Sequence, residues 1–267
     1  MFTWNANKLF IFYRGSPFAC FCIKRMPEGP SIVILKKSVQ EFKGKKLIGI
    51  SGNTKVDFSS LTNKRVKDFK SFGKNFLICF KGGAIKIHFM LFGSYRVNEK
   101  KQTSPRLSLN FNKGELNFYA CSVKLISEDL NKIYDWSADV MNDKWSAAKA
   151  RKKLKTIPKT LVCDALLDQA IFAGVGNIIK NEVLFRIKLH PKTRVGDIPP
   201  GKLTALIKET RQYSFDFLKW KEQYVLRKHW LVHTKKICPR DGSSISKEYL
   251  GKTNRRTFYC RTCQKLY

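Results

Sequence analysis

Acidic residues are scarce in this chain. There are 20 Asp and Glu against 52 Lys and Arg, which gives a formal net charge of +32 over 267 residues. An excess of this size indicates a polyanionic partner. Nucleic acid is the first candidate, because neutralised phosphates release counterions and favour binding whatever the sequence. A ribosomal-type protein or a membrane-surface binder would share the same charge.

Long apolar runs are also missing. No stretch approaches the roughly 18 consecutive apolar residues of a membrane span, so we expect no membrane-spanning helix. Hydrophobic residues nevertheless make up 43% of the chain, which fits a globular protein, and the aromatic content of 13% argues against a disordered basic tail. The length is sufficient for two modest domains with their own cores.

The eight cysteines do not favour disulfides. Cys79 and Cys121 fall in strand-like apolar runs and Cys163 in a helix-like run, so we interpret them as buried thiols. This usage favours a reducing compartment. We therefore expect a cytoplasmic protein. With nucleic acid as its partner, we expect it to be of bacterial type and associated with the nucleoid.

Residues 1–25 differ from the rest of the chain. They are rich in aromatic residues, contain no acidic residue, and have neither a charged n-region nor a continuous apolar core. A signal peptide or an organelle transit peptide stays open. We favour a third interpretation, in which this extension is a mis-assigned start and the protein opens at Met26.

The segment from Met26 to Pro30 would contain a reactive group if Met26 were removed. Pro27 would then have a free secondary amine, and such amines titrate at about pH 8. An unprotonated amine can attack a sugar C1′ and form a Schiff base, and Glu28 could exchange protons at the same centre. The ordinary alternative is a Pro-Gly-Pro turn before a helix.

Periodicity predicts a helix and then a β-rich domain. Apolar residues recur at near-helical spacing from Ser31 to Lys43, and Gly44 is the expected stop. Seven short β runs between residues 47 and 119 indicate a sandwich or barrel-like sheet. The turn at 71–75 carries Lys74, which in isolation would be a solvated turn residue.

The stretch 88–93 contains Met90, Leu91 and Phe92 in succession. A strand buries alternate residues on one face, so some of these side chains must point elsewhere. A loop tip with apolar wedges could enter a DNA stack from which a base has been expelled. Two strands that share a core are an equal alternative.

Gly174 to Asn177 interrupts a helical region between residues 160 and 189. The helix that follows would offer backbone N–H groups to a phosphate, with Asn177 placed to cap it and to contact the DNA backbone. An ordinary helix-turn-helix is the alternative.

The last segment contains part of a zinc-binding pattern. Cys260 and Cys263 form a C-x-x-C knuckle, and 21 residues separate Cys238 from Cys260. Asp241 stands where a second cysteine is expected, and its carboxylate oxygen could complete a Cys3Asp zinc site. His233 is an alternative fourth ligand, and a hairpin held by packing alone is the remaining possibility.

Five motifs in sequence order carry a family resemblance: MPEGP at 26–30, SFGKNF at 71–76, HFMLFG at 88–93, DALLDQAIFAGVGNIIKNEVLFRIKLHP at 164–191 and NRRTFYCRTCQ at 254–264. With them, the sequence from Met26 to Tyr267 resembles the formamidopyrimidine-DNA glycosylase and endonuclease VIII family. The resemblance is stronger to its endonuclease VIII-like branch.

The resemblance implies an α+β fold with DNA in a cleft between two domains. We expect a β-sandwich catalytic domain with a flanking helix at 26–126 and linker helices at 127–159. A helix-two-turn-helix DNA-binding domain at 160–232 and a zinc-finger-like β-hairpin at 233–267 would complete the chain.

The resemblance also implies roles for individual residues. Pro27 would be the Schiff-base nucleophile and Glu28 the general acid. Lys74 would assist β-elimination and hold a phosphate, and Arg255 would bind a phosphate and serve δ-elimination. The DNA contacts would come from Asn177 and from an apolar wedge of Met90, Leu91 and Phe92.

Two departures from the family pattern affect the expected substrate and site. Ser31 stands where the family usually has Glu, which removes one carboxylate near the pocket. The stretch from Arg211 to Cys238 lacks the Gly-rich loop of the oxoguanine-directed branch, so we expect oxidised pyrimidines as substrates.

The expected protein is therefore a monomeric base-excision repair glycosylase and abasic-site lyase, acting on damaged double-stranded DNA and holding one zinc ion. If residues 1–25 are retained, the alternative is a basic zinc-finger protein that binds DNA without covalent chemistry.

Overall fold

The computed structural model describes residues 27–267. The predicted extension at 1–25 and Met26 lie outside the described residues. Among the helices of the described part, none is long and apolar enough to cross a membrane.

A β domain comes first. It consists of helix α1 (Gly29–Ser38) and six strands: β1 (Leu47–Ser51), β2 (Asp68–Phe72), β3 (Asn75–Phe80), β4 (Gly83–Val97), β5 (Leu107–Phe111) and β6 (Glu115–Ile126). The strands pair antiparallel in one sheet of order β1-β5-β6-β4-β3-β2. Leu47 and Phe69, from the two edge strands, belong to the same core as Leu35 of α1, so the sheet curls around that core.

Helix α1 is shorter than its periodicity predicts. It ends at Ser38, and the chain then makes a 3₁₀ turn over Gln40–Phe42 before Gly44, which has φ of +80°. Val39 and Phe42 are still buried in the sheet core, which explains why their spacing is helical. Two of the predicted β runs, 84–89 and 94–97, are parts of the single strand β4.

A helical domain follows, with its own core. Its helices are α2 (Leu130–Ile133), α3 (Ala147–Lys155), α4 (Val162–Ala165), α5 (Asn177–Arg186) and α6 (Pro200–Glu222). Phe172, Leu184 and Leu206 are completely or almost completely buried there. Helix α6 packs against α5 and also against α1, which fixes the two domains relative to one another.

The chain ends in a hairpin of β7 (Ile245–Leu250) and β8 (Arg255–Cys260), which packs on α5. Glu182 of α5 anchors the segment that leads into it: the completely buried carboxylate accepts the backbone N–H groups of Leu231, Val232 and His233. These charge-assisted bonds satisfy the buried anion and hold the hairpin on the helical domain.

The three thiols predicted to be buried are confirmed as free and buried. Burial raises the pKa of Cys79 and of Cys163 to about 11, and that of Cys121 to about 12. These thiols are therefore protonated and unreactive at neutral pH.

Candidate active site

A cleft of about 480 Å³ lies between the β domain and the helical domain. Five of the residues singled out in the sequence line it, although they come from four separate segments: Pro27, Glu28, Lys74, Asn177 and Arg255. The remaining lining residues are Phe72, Gly73, Asn75, His88, Phe89, Leu167, Gln169, Gly176 and Thr253.

Three glycines bring these segments into contact. The N–H of Gly29 donates to the carbonyl of Gly174 at 2.8 Å. A Cβ on Gly29 would lie 2.9 Å from Gly174 Cα, and one on Gly73 would lie 2.9 Å from Gly174 N. Gly73 and Gly174 also have φ of +54° and +101°, which other residues rarely adopt. The junction therefore requires glycine and places Pro27 and Lys74 beside the start of α5.

Glu28 caps α5 from a distance of about 150 residues in sequence. Its carboxylate accepts the backbone N–H groups of Ile178 at 2.7 Å and of Gly176 and Ile179 at 3.2 Å. We predicted that these N–H groups would meet a phosphate and that Asn177 would cap the helix. Both expectations are corrected, because the Glu28 carboxylate takes the place of the anion and Gly176 is the cap residue.

The acid and the lysine of the cleft influence each other. Burial raises the pKa of Glu28, and the Lys74 ammonium and the three N–H donors oppose that rise. Burial lowers the pKa of Lys74, with Glu28 acting in the opposite direction and Arg255 in the same one. A carboxyl with a raised pKa is suited to donate a proton, and a lysine with a lowered pKa is suited to exchange one.

A buried carboxylate that the sequence did not reveal holds the turn that carries Lys74. Asp139 accepts the N–H of Gly73 at 3.0 Å and that of Met141 at 2.9 Å. Burial raises the pKa of Asp139 to about 6, against the two N–H bonds. The turn between β2 and β3 is thus tied to the helical domain, next to the glycine junction.

Gly176 leaves room for the Glu28 carboxylate, since a Cβ at Gly176 would lie 2.5 Å from Glu28 Cδ. We expect Gly176→Ala to displace the carboxylate and to reduce at least 10-fold, in single-turnover measurements, any activity that depends on Glu28. Gly201→Ala is the matched control, because a Cβ there meets no atom within 4 Å. The control should keep full activity and gain up to about 1 kcal/mol from helix propensity. Equal activity of the two variants would contradict the positioning of Glu28 by this glycine.

Asn177 contacts the hairpin. It is the first residue of α5, and its Nδ2 donates to the carbonyl of Arg256 at 2.7 Å. Its Oδ1 is buried and has no hydrogen-bond partner among the described residues. The predicted contact with the DNA backbone stays a prediction.

The apolar wedge projects from a bulge in β4 rather than from a loop tip. Phe89 pairs with Cys121 and Ser94 with Tyr119, so that four residues of β4 stand opposite Ala120 alone. The side chains of the bulge are exposed: Met90 by 57%, Leu91 by 51% and Phe92 by 75%. Because the extra residues cannot pair with β6, they leave the sheet and expose apolar surface.

The four predicted metal ligands of the hairpin come together. One ligand atom from each of Cys238, Asp241, Cys260 and Cys263 lies within 4.8 Å of the others. The Sγ atoms of Cys238 and Cys263 are 3.8 Å apart, close to the roughly 3.8 Å edge of a tetrahedron with Zn–S bonds of about 2.3 Å. Asp241 Oδ2 lies 3.2 Å from Cys260 Sγ. The donor set and its spacing fit a four-coordinate zinc ion.

His233 is not the fourth ligand. Its ring is buried, its Nδ1 lies 3.0 Å from Nδ2 of Asn181, and it stacks edge-on against Trp230 and Phe258. It lies outside the group of four ligand atoms. The alternative ligand set is therefore corrected, since packing and a polar contact already account for this histidine.

Two family models match the chain. The Formamidopyrimidine-DNA glycosylase N-terminal domain matches residues 26–121, and the Formamidopyrimidine-DNA glycosylase H2TH domain matches residues 137–213. The chain belongs to the formamidopyrimidine-DNA glycosylase family. Both halves of the cleft, with Pro27, Glu28 and Lys74 on one side and α5 on the other, lie within the matched regions.

Relatives within this glycosylase family include Endonuclease 8-like 3 of Xenopus laevis, which is 35% identical over 222 residues. That alignment covers 78% of this chain and 36% of the relative. Endonuclease 8-like 2 of Bos taurus is 34% identical over 202 residues, or 68% of this chain and 60% of the relative. The chain thus spans about a third of the length of the first relative.

Solved structures share the glycosylase fold. The Lactococcus lactis formamidopyrimidine-DNA glycosylase bound to DNA with an abasic site has a TM-score of 0.79 and 21% identity, and covers 89% of this chain and 99% of its own. A viral DNA glycosylase has a TM-score of 0.78, also with 21% identity. The predicted α+β fold with a β domain, a helix-two-turn-helix domain and a terminal hairpin is confirmed.

Proposed function

We propose that this protein excises damaged bases from DNA and then cleaves the strand at the resulting abasic site, through a Schiff base on Pro27. The observation that carries the proposal is the convergence of Pro27, Glu28 and Lys74 in one cleft at the boundary of two domains. The proposal requires a chain that begins at Pro27, because only then is the nitrogen an amine.

Base excision would begin with attack of the unprotonated Pro27 nitrogen on C1′ of a nucleotide flipped into the cleft. The bond from C1′ to the base breaks and the Pro27 nitrogen loses its proton, which leaves C1′ bonded to that nitrogen and to the ring oxygen O4′. The C1′–O4′ bond then breaks, with Glu28 supplying a proton to O4′, and the nitrogen lone pair forms the iminium. Its positive charge draws electrons from C2′ and makes the C2′ proton acidic.

Strand cleavage would follow from that acidity. Removal of a C2′ proton expels the 3′ phosphate by β-elimination, and a second elimination expels the 5′ phosphate. Lys74, which lines the cleft and has a lowered pKa, would exchange the proton or hold a phosphate. Arg255, which begins β8 and lines the same cleft, would hold the departing phosphate.

The wedge of Met90, Leu91 and Phe92 would fill the space that the flipped base leaves in the duplex. We expect Phe92→Ala to weaken binding to abasic-site duplex by about 10-fold, since loss of one stacked aromatic costs roughly 1–3 kcal/mol. Melting temperature should stay unchanged, because the side chain is exposed. Ile48→Ala is a matched control, as Ile48 is a 50% exposed residue of β1. Equal affinity of both variants in an electrophoretic assay would contradict the wedge.

We propose that zinc occupies the Cys238, Asp241, Cys260 and Cys263 site and orders the hairpin that carries Arg255. Bound zinc would supply a structural crosslink. We expect native mass spectrometry to show one zinc per chain, and chelation to weaken DNA binding by about 10-fold or more. Asp241→Ala should lose zinc and Asp241→Cys should retain it, while Asp57→Ala serves as a distant control. A metal-free protein with full DNA affinity would contradict this proposal.

We propose oxidised pyrimidines as the substrate class. Residues 223–244 connect α6, which ends at Glu222, to β7, and they include a 3₁₀ turn over Leu226–His229. Glu182 holds residues 231–233 of this connection on the helical domain, so the connection would not extend over a flipped purine. A panel of duplexes with single lesions should show faster incision of oxidised pyrimidines than of 8-oxoguanine, and the reverse order would overturn the assignment.

The experiment that tests the function is borohydride trapping on abasic-site duplex, together with incision of lesion duplex. A chain that begins at Pro27 should crosslink to the DNA and incise it. Tight binding without crosslinking or incision would support the second candidate, a DNA-binding protein without covalent chemistry.

A further inference from the structure

Lys180 is a buried cation for which the proposed chemistry has no role. It lies on α5, one turn after Asn177, with only 1% of its surface exposed. A buried ammonium must be hydrogen-bonded, because leaving it unsolvated and unpaired is costly. Its Nζ donates to Oγ1 of Thr257 on β8 at 2.8 Å. The bond joins the helix capped by Glu28 to the strand that carries Arg255.

The direction of this bond fixes a second one. A lysine ammonium is a donor only, so the Thr257 oxygen must accept from it. The Thr257 hydroxyl hydrogen is then available for the carbonyl of Arg255, which lies 3.0 Å from Oγ1. Lys180 thereby orients a hydroxyl that holds the backbone of Arg255.

The same hairpin is held again just before Arg255. The Asp164 carboxylate accepts the backbone N–H of Lys252 at 2.8 Å and, at 3.0 Å, the hydroxyl of Thr253. Two charged groups of the helical domain thus hold the hairpin on both sides of Arg255.

We propose that Lys180 is a positioning residue, which acts through Thr257 to set the backbone of Arg255 so that its guanidinium meets a DNA phosphate in the cleft. The inference rests on the proposed function, because it assigns Arg255 to a phosphate. Burial lowers the pKa of Lys180 to about 8, while nearby Cys163, Asp164 and Glu28 raise it. At neutral pH, Lys180 is therefore protonated in most molecules and can donate to Thr257.

The test is the salt dependence of binding to duplex with a tetrahydrofuran abasic-site analogue. Each neutralised phosphate contributes about 0.9 to the slope of log K against log salt. Lys180→Met should lower the slope by about 0.9 and weaken binding about 10-fold at low salt. Thr257→Val should lower the slope and the affinity by the same amounts. Thr257→Ser should keep the wild-type slope and affinity, because it retains the hydroxyl.

The dependence on Arg255 separates positioning from general stability. In an Arg255→Ala background, Lys180→Met should cause no further change in slope or affinity. Lys202→Met is the matched control, since Lys202 belongs to the same domain and its Nζ donates to a backbone carbonyl, that of Ile187, at 2.6 Å. The control should keep the wild-type slope.

Two results would overturn the inference: an unchanged slope in Lys180→Met, or a further loss of affinity of the same size in the Arg255→Ala background. If Lys180→Met does not fold, the comparison of Thr257→Val with Thr257→Ser decides, and equal slopes for those two variants overturn the inference. Failure of the proposed function would give a different result. The chain that begins at Pro27 and carries no substitution would then not crosslink to abasic-site DNA.

Discussion

A chain that begins at Pro27 should form a borohydride-trapped adduct with abasic-site DNA, and a chain that retains Met26 or the longer extension should not. In the longer forms the Pro27 nitrogen is an amide, whose lone pair is delocalised into the carbonyl. Removal of a covalent nucleophile lowers the kcat of an enzyme by several orders of magnitude. We therefore expect the trapping rate to fall by roughly 1,000-fold or more.

The control for this comparison is DNA affinity. The form that retains only Met26 has the same Lys and Arg residues as the chain that begins at Pro27, so these two forms should bind duplex DNA with similar dissociation constants. Pro27→Gly, in a chain that begins at residue 27, should lose most trapping, because the proline ring fixes the direction of the amine. Equal trapping by the long and short forms would show that the terminal amine is not the nucleophile.

Glu28→Gln is expected to lower the rate of base excision by about 100-fold to 10,000-fold, the usual contribution of a general acid. The amide has nearly the same shape but cannot donate a proton at neutral pH. It also places an NH2 group against one of the N–H donors of Gly176, Ile178 and Ile179. Trapping on a preformed abasic site should fall less, because no base has to leave.

The pH profile provides a second measurement for Glu28. Since burial raises its pKa, the protonated form persists above the usual range and is lost as pH rises through the raised value. Excision by the unchanged protein should therefore decline on the alkaline side, and Glu28→Gln should lack that decline. Glu209→Gln is the control: Glu209 is a partly buried carboxylate 3.9 Å from Arg186 on the helical domain. Full excision by Glu28→Gln would contradict the assigned role.

Local sequence patterns predicted the elements of this fold well. Periodicity found α1 and the strands, and the C-x-x-C spacing found the hairpin that brings Cys238 and Asp241 to Cys260 and Cys263. The exposure of part of the stretch 90–92 was also predictable, because three bulky apolar residues in a row cannot all be buried by one face of a strand. These features depend on neighbours within a few residues along the chain.

The convergence of Pro27, Lys74 and Arg255 was predicted only by the family resemblance. No periodicity brings three segments about 50 and 180 residues apart to one cleft. The physical cause lies in contacts that carry little sequence signal: Gly29 and Gly73 are distinguishable from ordinary turn glycines only when Gly174 is seen against both.

Three buried charges were missed. Asp139, Lys180 and Glu182 are at most 2% exposed, yet their residue types indicate a solvated surface when read alone. A usable signal does exist for α5: apolar residues surround Lys180 and Glu182 on all sides of the helix, as in a helix buried on every face. A charged residue in such a helix needs a fixed partner, which here comes from the hairpin segment.

The central claim is that the nitrogen of Pro27 carries the covalent bond to DNA. The most direct measurement is mass spectrometry of the borohydride-reduced adduct after digestion of both the protein and the DNA. The account predicts a deoxyribose remnant on the peptide that begins with Pro27, attached to its terminal nitrogen. A remnant on Lys74, Lys180 or any other lysine, with the Pro27 peptide unmodified, would contradict it.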